Sequence, residues 1–204
     1  MRRVHSAPTD DRGQAHTVEA FIAALLLISG LLFAMQATAV TPLSASTSNQ
    51  QIENQQRALA DDLLSTAAED GSLKRAVLYW NTTGSKFQDS GERGYYQEVG
   101  TQNAFVASLN ETLAERRIAY NVRVRYHVPN SVAPSVTTDE MVILGQASDN
   151  AVTASRTVTL YDDDRLTGED DCAVQSCSSF YAPNVDGDSR LYNRVEVRIT
   201  TWRM

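Results

Sequence analysis

The chain has 204 residues, enough for one ordinary domain plus an appendage, and a formal net charge of −7. This acidic balance excludes a broad basic surface, so no nucleic-acid partner is expected. Among its 18 basic residues only Lys74 and Lys86 are lysines. An acidic, arginine-rich composition is typical of a salt-loving organism, because salt screens repulsion between carboxylates, but a GC-rich genome also favours arginine.

The first predicted element is an apolar helix. No charged residue occurs from Ala20 to Ile52. The 21 residues Ala20–Val40 would span about 31 Å as a helix, which matches the hydrocarbon core of a bilayer. We expect a kink or a helix end at Thr41-Pro42, because proline disrupts helical hydrogen bonding.

The basic residues around this segment predict its orientation. Arg2, Arg3 and Arg12 precede it, and the next basic residue is Arg57. The N-terminus is therefore expected in the cytoplasm and the C-terminal domain outside the cell. The predicted organisation is a cytoplasmic basic leader (1–13), a transmembrane or stem helix (14–40), an amphipathic stalk helix (41–70) and an extracytoplasmic α+β domain (71–204).

Three fates of the apolar segment remain open from the residues alone. A secretory signal would be removed after the small residues Ala37–Ala39, leaving Val40 first, although the apolar run exceeds the usual core of such signals. An uncleaved helix would anchor the chain permanently. The third fate depends on Arg12-Gly13, which is followed by Gln14, and on Glu19 at the rim of the apolar run.

The stretch "RGQAHTVEA" resembles the N-terminus of archaeal type IV pilin-like proteins, which carry a class III-type leader. The resemblance implies that a prepilin peptidase cuts around Gly13, Gln14 and Ala15. A cut after Gly13 makes Glu19 the sixth mature residue, whereas pilins usually carry this glutamate fifth, which requires a cut after Gln14. In such assemblies the glutamate pairs with the α-amino group of an adjacent subunit. The alternative is a glutamate in a first helical turn, favoured by the helix dipole.

Most of the chain resembles haloarchaeal pilin-like membrane proteins, including "SDNAVTASRTVTLYDDD" and the terminal "YNRVEVRITTWRM". The resemblance implies a single-pass protein of the cell membrane or of a surface filament, with a structural role. Its implied partners are membrane lipid, like or related subunits, the prepilin peptidase and the pilus assembly machinery. The alternative function is a permanently anchored extracytoplasmic binding domain that forms no filament.

Beyond the apolar run, Leu59, Leu63 and Leu64 recur near helical spacing among charged residues. This pattern predicts the amphipathic stalk, which Gly71 would end as a C-cap residue. The same pattern also fits the first helix of the outer domain.

The outer domain is expected to be α+β, with a small antiparallel sheet and one or two helices. Residues 72–81 fit either a helix or a strand, and residues 103–118 predict a helix of about 14 residues. Alternating apolar and polar residues predict strands at 119–128, 140–145, 151–161 and 192–202. Surface loops are expected at 127–139 and at the long acidic stretch 162–189.

Four residues of the outer domain are candidates for covalent modification. Cys172 and Cys177 fit either a local disulfide, if the domain lies outside the cell, or a pair of buried thiols. Asn81 and Asn110 each begin a glycosylation sequon, and Asn81 is the better acceptor because it is expected in a loop.

No residue pattern indicates an enzyme, a cofactor or a metal. The acidic stretch could hold a hard cation such as Ca²⁺, but it lacks the EF-hand spacing, so a solvated loop is favoured. No nucleophile–base motif and no phosphate-binding glycine loop is present. Arg123 and Arg125 form a basic strand face, for which pairing with acidic neighbours such as Glu196 is expected.

Overall fold

The computed structural model describes residues 11–97, 102–129 and 135–204, so most of the expected leader lies outside the described residues. The chain divides into two compact units between Gln51 and Ile52. The elements in chain order are α1 (Asp11–Glu69), α2 (Ser72–Val77), β1 (Trp80–Asn81), β2 (Lys86–Phe87), α3 (Ala104–Ala114), β3 (Ile118–Val128), β4 (Ser135–Ile143), β5 (Val152–Tyr161) and β6 (Leu191–Arg203).

The described part of the first unit is helical. Helix α1 continues through Pro42, so the helix end expected at Thr41-Pro42 is wrong. A proline removes one main-chain hydrogen bond, and the residues on both sides keep the helical conformation despite that loss.

The second unit is built on a four-stranded antiparallel sheet with the strand order β4-β3-β6-β5. Its first and last strands, β3 and β6, lie side by side in the middle, with Val122 opposite Ile199. Both strands are rich in Val, Ile and Tyr, which suit a pleated surface with one buried face. An α+β fold with an N-terminal apolar helix and antiparallel sheets is thus confirmed.

One face of the sheet carries the core. Helix α3 packs there through Phe105, Leu109 and Leu113, none of which is more than 1% exposed. The predicted fourfold spacing of these residues places them on one side of the helix. The sheet contributes a matching set of buried side chains: Tyr120, Val122, Val124, Val195, Val197 and Ile199.

The last part of α1 belongs to this second unit. Ala60, Leu64 and Ala67 are buried in its core, with Leu64 only 1% exposed. Over these residues the apolar stripe packs as the first helix of the second unit, and the separate stalk stays a prediction. Gly71 follows the end of α1 with a φ of 75°, as expected for a C-cap glycine.

Several element bounds differ from the sequence expectations. Residues 72–81 form both α2 and β1, joined by two residues, and the hairpin β1–β2 was not predicted. Strand β4 begins at Ser135, so the loop expected at 127–139 is wrong over its last residues. The side chains in the first part of β4 are exposed and mostly polar, so they lack the alternation of buried and exposed residues that predicts a strand. Helix α3 has 11 residues because the chain turns at Arg117, which adopts a φ of 56°.

The two edges of the sheet are protected differently. At β4, the main chain of Tyr96 bonds to Met141 and Ile143 and covers part of the edge. At β5, Arg156 interrupts the alternating buried residues on the core-facing side and is exposed. A charge in this position opposes pairing with another strand.

We expect Leu64→Ala to lower the free energy of unfolding of the second unit by about 3 kcal/mol, because it leaves a cavity in the core. Trp80 and Trp202 both lie in this unit, so their fluorescence during denaturant unfolding of the detergent-solubilised chain measures the change. Gln55→Ala, at an exposed position of the same helix, is the control. A near-neutral Leu64→Ala would show that this part of α1 is a spacer.

Candidate functional site

The apolar part of α1 is the most distinctive surface of the first unit. His16–Met35 covers 20 residues with a mean hydropathy of 2.3, and none of this window is buried. Phe21, Leu27 and Phe33 are 67%, 76% and 74% exposed. The segment is therefore long and apolar enough to cross a membrane, which is compatible with membrane anchoring.

Glu19 is the acidic residue at the beginning of this segment. Its carboxylate Oε2 lies 3.7 Å from Nδ1 of His16, one turn earlier, and both side chains are more than 80% exposed. The contact becomes an ion pair when His16 is protonated. Gly13, Gln14 and Ala15 lie in α1 about one to two turns before Glu19, so the proposed processing residues and the carboxylate occupy the same end of the helix.

The polar face of the sheet carries a charge network. Arg125 Nη1 donates to Glu196 Oε2 at 2.8 Å, and Arg198 Nη2 donates to Glu196 Oε1 at 3.0 Å. Arg123 pairs with Glu140 at 3.3 Å. The expected pairing of the basic face with Glu196 is present, and most of its charge is neutralised within the sheet.

The pKa of Glu196 reflects this network. Partial burial acts to raise the pKa, but hydrogen bonds from Ser155 and Arg198 and the charges of Arg198 and Arg125 outweigh it. The pKa of Glu196 therefore lies below its ordinary value.

The structure joins Cys172 and Cys177 in a disulfide, with their Cα atoms 5.9 Å apart. Main-chain hydrogen bonds fix both sides of the loop, from Leu166 N to Cys172 O at 3.0 Å and from Val174 N to Asp164 O at 2.8 Å. The stretch expected to be irregular is thus held in place by a crosslink and by main-chain bonds.

The acidic side chains of this stretch bind separate partners. Asp164 pairs with Lys74 at 2.7 Å, Asp171 with Arg165 at 2.6 Å, and Asp163 with Arg190 at 3.4 Å. Asp170 and Asp162 accept hydrogen bonds from Thr82 and Asn184. Within the described ranges no three His, Cys, Asp or Glu side chains are placed to hold one metal ion.

A small cavity lies between α2 and the start of α3. It has a volume of about 140 Å³ and is lined in part by Arg75, Tyr79, Asn103 and Thr167. Pockets for organic ligands are usually about 300 Å³ or larger, so this cavity is too small for such a substrate. Sequence reasoning missed it because α2 and α3 meet only in the folded chain.

The sequons occupy different secondary structure. Asn81 ends β1 at the hairpin, and Asn110 lies within α3. Both side chains are half-buried.

We expect reduction of Cys172–Cys177 to lower the free energy of unfolding by about 2 kcal/mol, because the crosslink restricts the unfolded chain. Denaturant unfolding followed by tryptophan fluorescence measures the loss, and Trp80 reports directly because its Nε1 donates to Ser179 O at 2.7 Å. The double variant Cys172→Ser, Cys177→Ser should have the same free energy of unfolding as the reduced protein, and reductant should not change it. Equal stability of both redox forms would contradict the prediction.

We expect Glu196→Gln to cost about 1 kcal/mol of unfolding free energy at neutral pH. Because the folded-state pKa is lowered, the contribution of Glu196 is present above its unfolded pKa, near 4.5, and is lost as the pH falls through the folded value. Wild-type stability should therefore drop more steeply below about pH 5 than that of the variant. Glu111→Gln, at an exposed position of α3, should leave the acid profile unchanged.

Comparison with known proteins finds one family. No curated protein and no solved structure matches the chain. The family match begins at Arg12, near the start of α1, and ends at Thr201, within β6, so it includes the apolar segment and all of the sheet except the last two residues of β6. Because a family of unknown function (DUF7288) matches residues 12–201, the chain belongs to that family.

Proposed function

We propose that this chain is a pilin-like or pseudopilin-like single-pass surface protein, a structural subunit of a type IV pilus-like assembly. The observation that carries the proposal is the uncovered apolar segment His16–Met35, in which Glu19, near its beginning, is the one acidic residue. The resemblance of "RGQAHTVEA" to pilin-like leaders supports the same conclusion.

The apolar helix suits both lipid and a bundle of stems. Its large exposed side chains occur all around the helix, from Val18 to Met35. A helix that is apolar on every side is stable where every side meets lipid or other apolar helices. Gly30 has nothing within 4 Å of the position of an added Cβ, so a neighbouring stem can approach its backbone closely.

Glu19 supplies the specific contact in this proposal. A carboxylate at a membrane edge is costly unless a positive group neutralises it. His16 can do so within the chain when it is protonated. After removal of the leader, the α-amino group of an adjacent subunit, with an ordinary pKa of about 8, supplies a positive charge for Glu19 at neutral pH and helps to fix the axial register.

The distribution of basic residues and the disulfide support the proposed topology. Arg2, Arg3 and Arg12 favour a cytoplasmic N-terminus. The disulfide between Cys172 and Cys177 favours an oxidising compartment for the second unit, outside the cell. A prepilin peptidase and an assembly machine are the partners that this proposal requires.

We expect Glu19→Gln to reduce the amount of chain in high-molecular-weight assemblies by about tenfold, because a charge-assisted contact contributes about 1.4 kcal/mol or more. Membrane insertion should be unaffected, because the apolar segment is intact. Crosslinking in native membranes, followed by sedimentation, measures the assembled fraction.

Asp61→Asn is the matched control, since Asp61 is an exposed acid of α1 in the second unit. N-terminal sequencing of native material should give Gln14 or Ala15, and deletion of Arg12–Gly13 should leave the precursor uncut. If Glu19→Gln assembles as wild type and the native chain keeps Met1, the protein is a permanent anchor for a binding domain. A native N-terminus at Val40 would identify a secreted protein.

A further inference from the structure

The hairpin β1–β2 is fixed to the second unit from within. Trp80 is 6% exposed, its Nε1 donates to Ser179 O at 2.7 Å, and its ring packs edge-on against Phe87 with centroids 5.2 Å apart. The turn that joins the two strands, residues 82–85, is therefore held by a buried aromatic anchor at its base.

The middle residue of the first sequon faces the protein. Both the main-chain N and the Oγ1 of Thr82 donate to Asp170 Oδ2, at 2.8 and 2.9 Å. Thr82 begins the turn of residues 82–85, and its contact with Asp170 holds the middle of the sequon against the second unit. Asn81 is half-exposed and Thr83 is exposed, so both residues that glycosylation requires reach solvent.

The side-chain amide of Asn81 is oriented by the turn. Its Oδ1 accepts a hydrogen bond from Gly84 N at 2.6 Å. In the described part of the chain, no residue accepts a hydrogen bond from its Nδ2. The nitrogen that a glycosyltransferase must reach therefore has no competing contact there, and Gly84 and Ser85 beside it are exposed.

The second sequon has a different geometry. Asn110 lies in the middle of α3, between Leu109 and Leu113, which are buried in the core. Residues two apart on a helix do not face each other, so the Thr112 hydroxyl cannot lie beside the Asn110 amide. The sequon threonine and asparagine must act together, and helix α3 keeps their side chains apart.

We infer that Asn81 carries an N-linked glycan and that Asn110 does not. The donor is a sugar activated as a phosphate ester of a membrane lipid. The Asn81 Nδ2–C1 bond forms as the C1–O bond to the lipid phosphate breaks, the lipid phosphate leaves, and the amide proton passes to a base of the transferase. The inference rests on the proposed function, since transfer occurs on the extracytoplasmic side.

The test uses the full chain in membranes of its native host. Intact-mass and glycopeptide analysis should find the added mass on the tryptic peptide that contains Asn81. Asn81→Gln and Thr83→Ala should each remove it completely, whereas Thr83→Ser and Asn110→Gln should keep it. Thr83→Ser keeps the sequon hydroxyl and Thr83→Ala lacks it, so this pair remains informative if Asn81→Gln fails to fold.

Topology is measured in the same cells with a membrane-impermeant amine reagent. The two lysines of the chain, Lys74 and Lys86, both lie in the second unit. If they are labelled in intact cells while Asn81 is unmodified, the glycan inference is overturned and the proposed topology stands. If they are labelled only after lysis, both fail. A glycan that persists in Thr83→Ala, or one found on Asn110, also overturns the inference.

Discussion

The main physical constraint on this chain is the exposed apolar surface of α1, which is unfavourable in water. Eleven large apolar side chains between Val18 and Met35 are at least half exposed. At about 2 kcal/mol for each, their burial contributes about 20 kcal/mol, which exceeds the net stability of an ordinary domain. Under the proposed function, lipid or the stems of other subunits surround this segment and supply that burial. Its single carboxylate then becomes the polar group that has to find a partner.

The second unit is stabilised mainly by contacts between residues that are far apart in the sequence. The strands β3 and β6 pair although some 70 residues separate them, and Arg125 and Glu196 link their polar faces. The acidic loop contributes order of its own, because its carboxylates pair with Lys74, Arg165 and Arg190. These separate pairs attach the loop to α2, to its own residues and to the segment just before β6.

Local patterns predicted the apolar helix, the α+β class, the strands β3, β5 and β6 and the last residues of β4, because those features depend on residue periodicity. The predictions failed where the decisive contact is distant. The hairpin β1–β2 is fixed by Trp80 and Ser179, and no local signal reveals that contact. Strand β4 exposes polar residues at the edge of the sheet and so resembled a loop. The strand order, with β6 between β3 and β5, depends on pairings that no short window of sequence contains.

The edge of the sheet has a consequence for any crowded array of these chains. Arg156 places a charged side chain on the edge strand β5, where a strand of a neighbouring molecule would otherwise pair. At the opposite edge, the main chain of Tyr96 already occupies part of β4. Both features oppose edge-to-edge pairing between the sheets of adjacent molecules. Contacts between the second units of neighbouring copies would then depend on side chains alone, so copies can separate without unfolding one another.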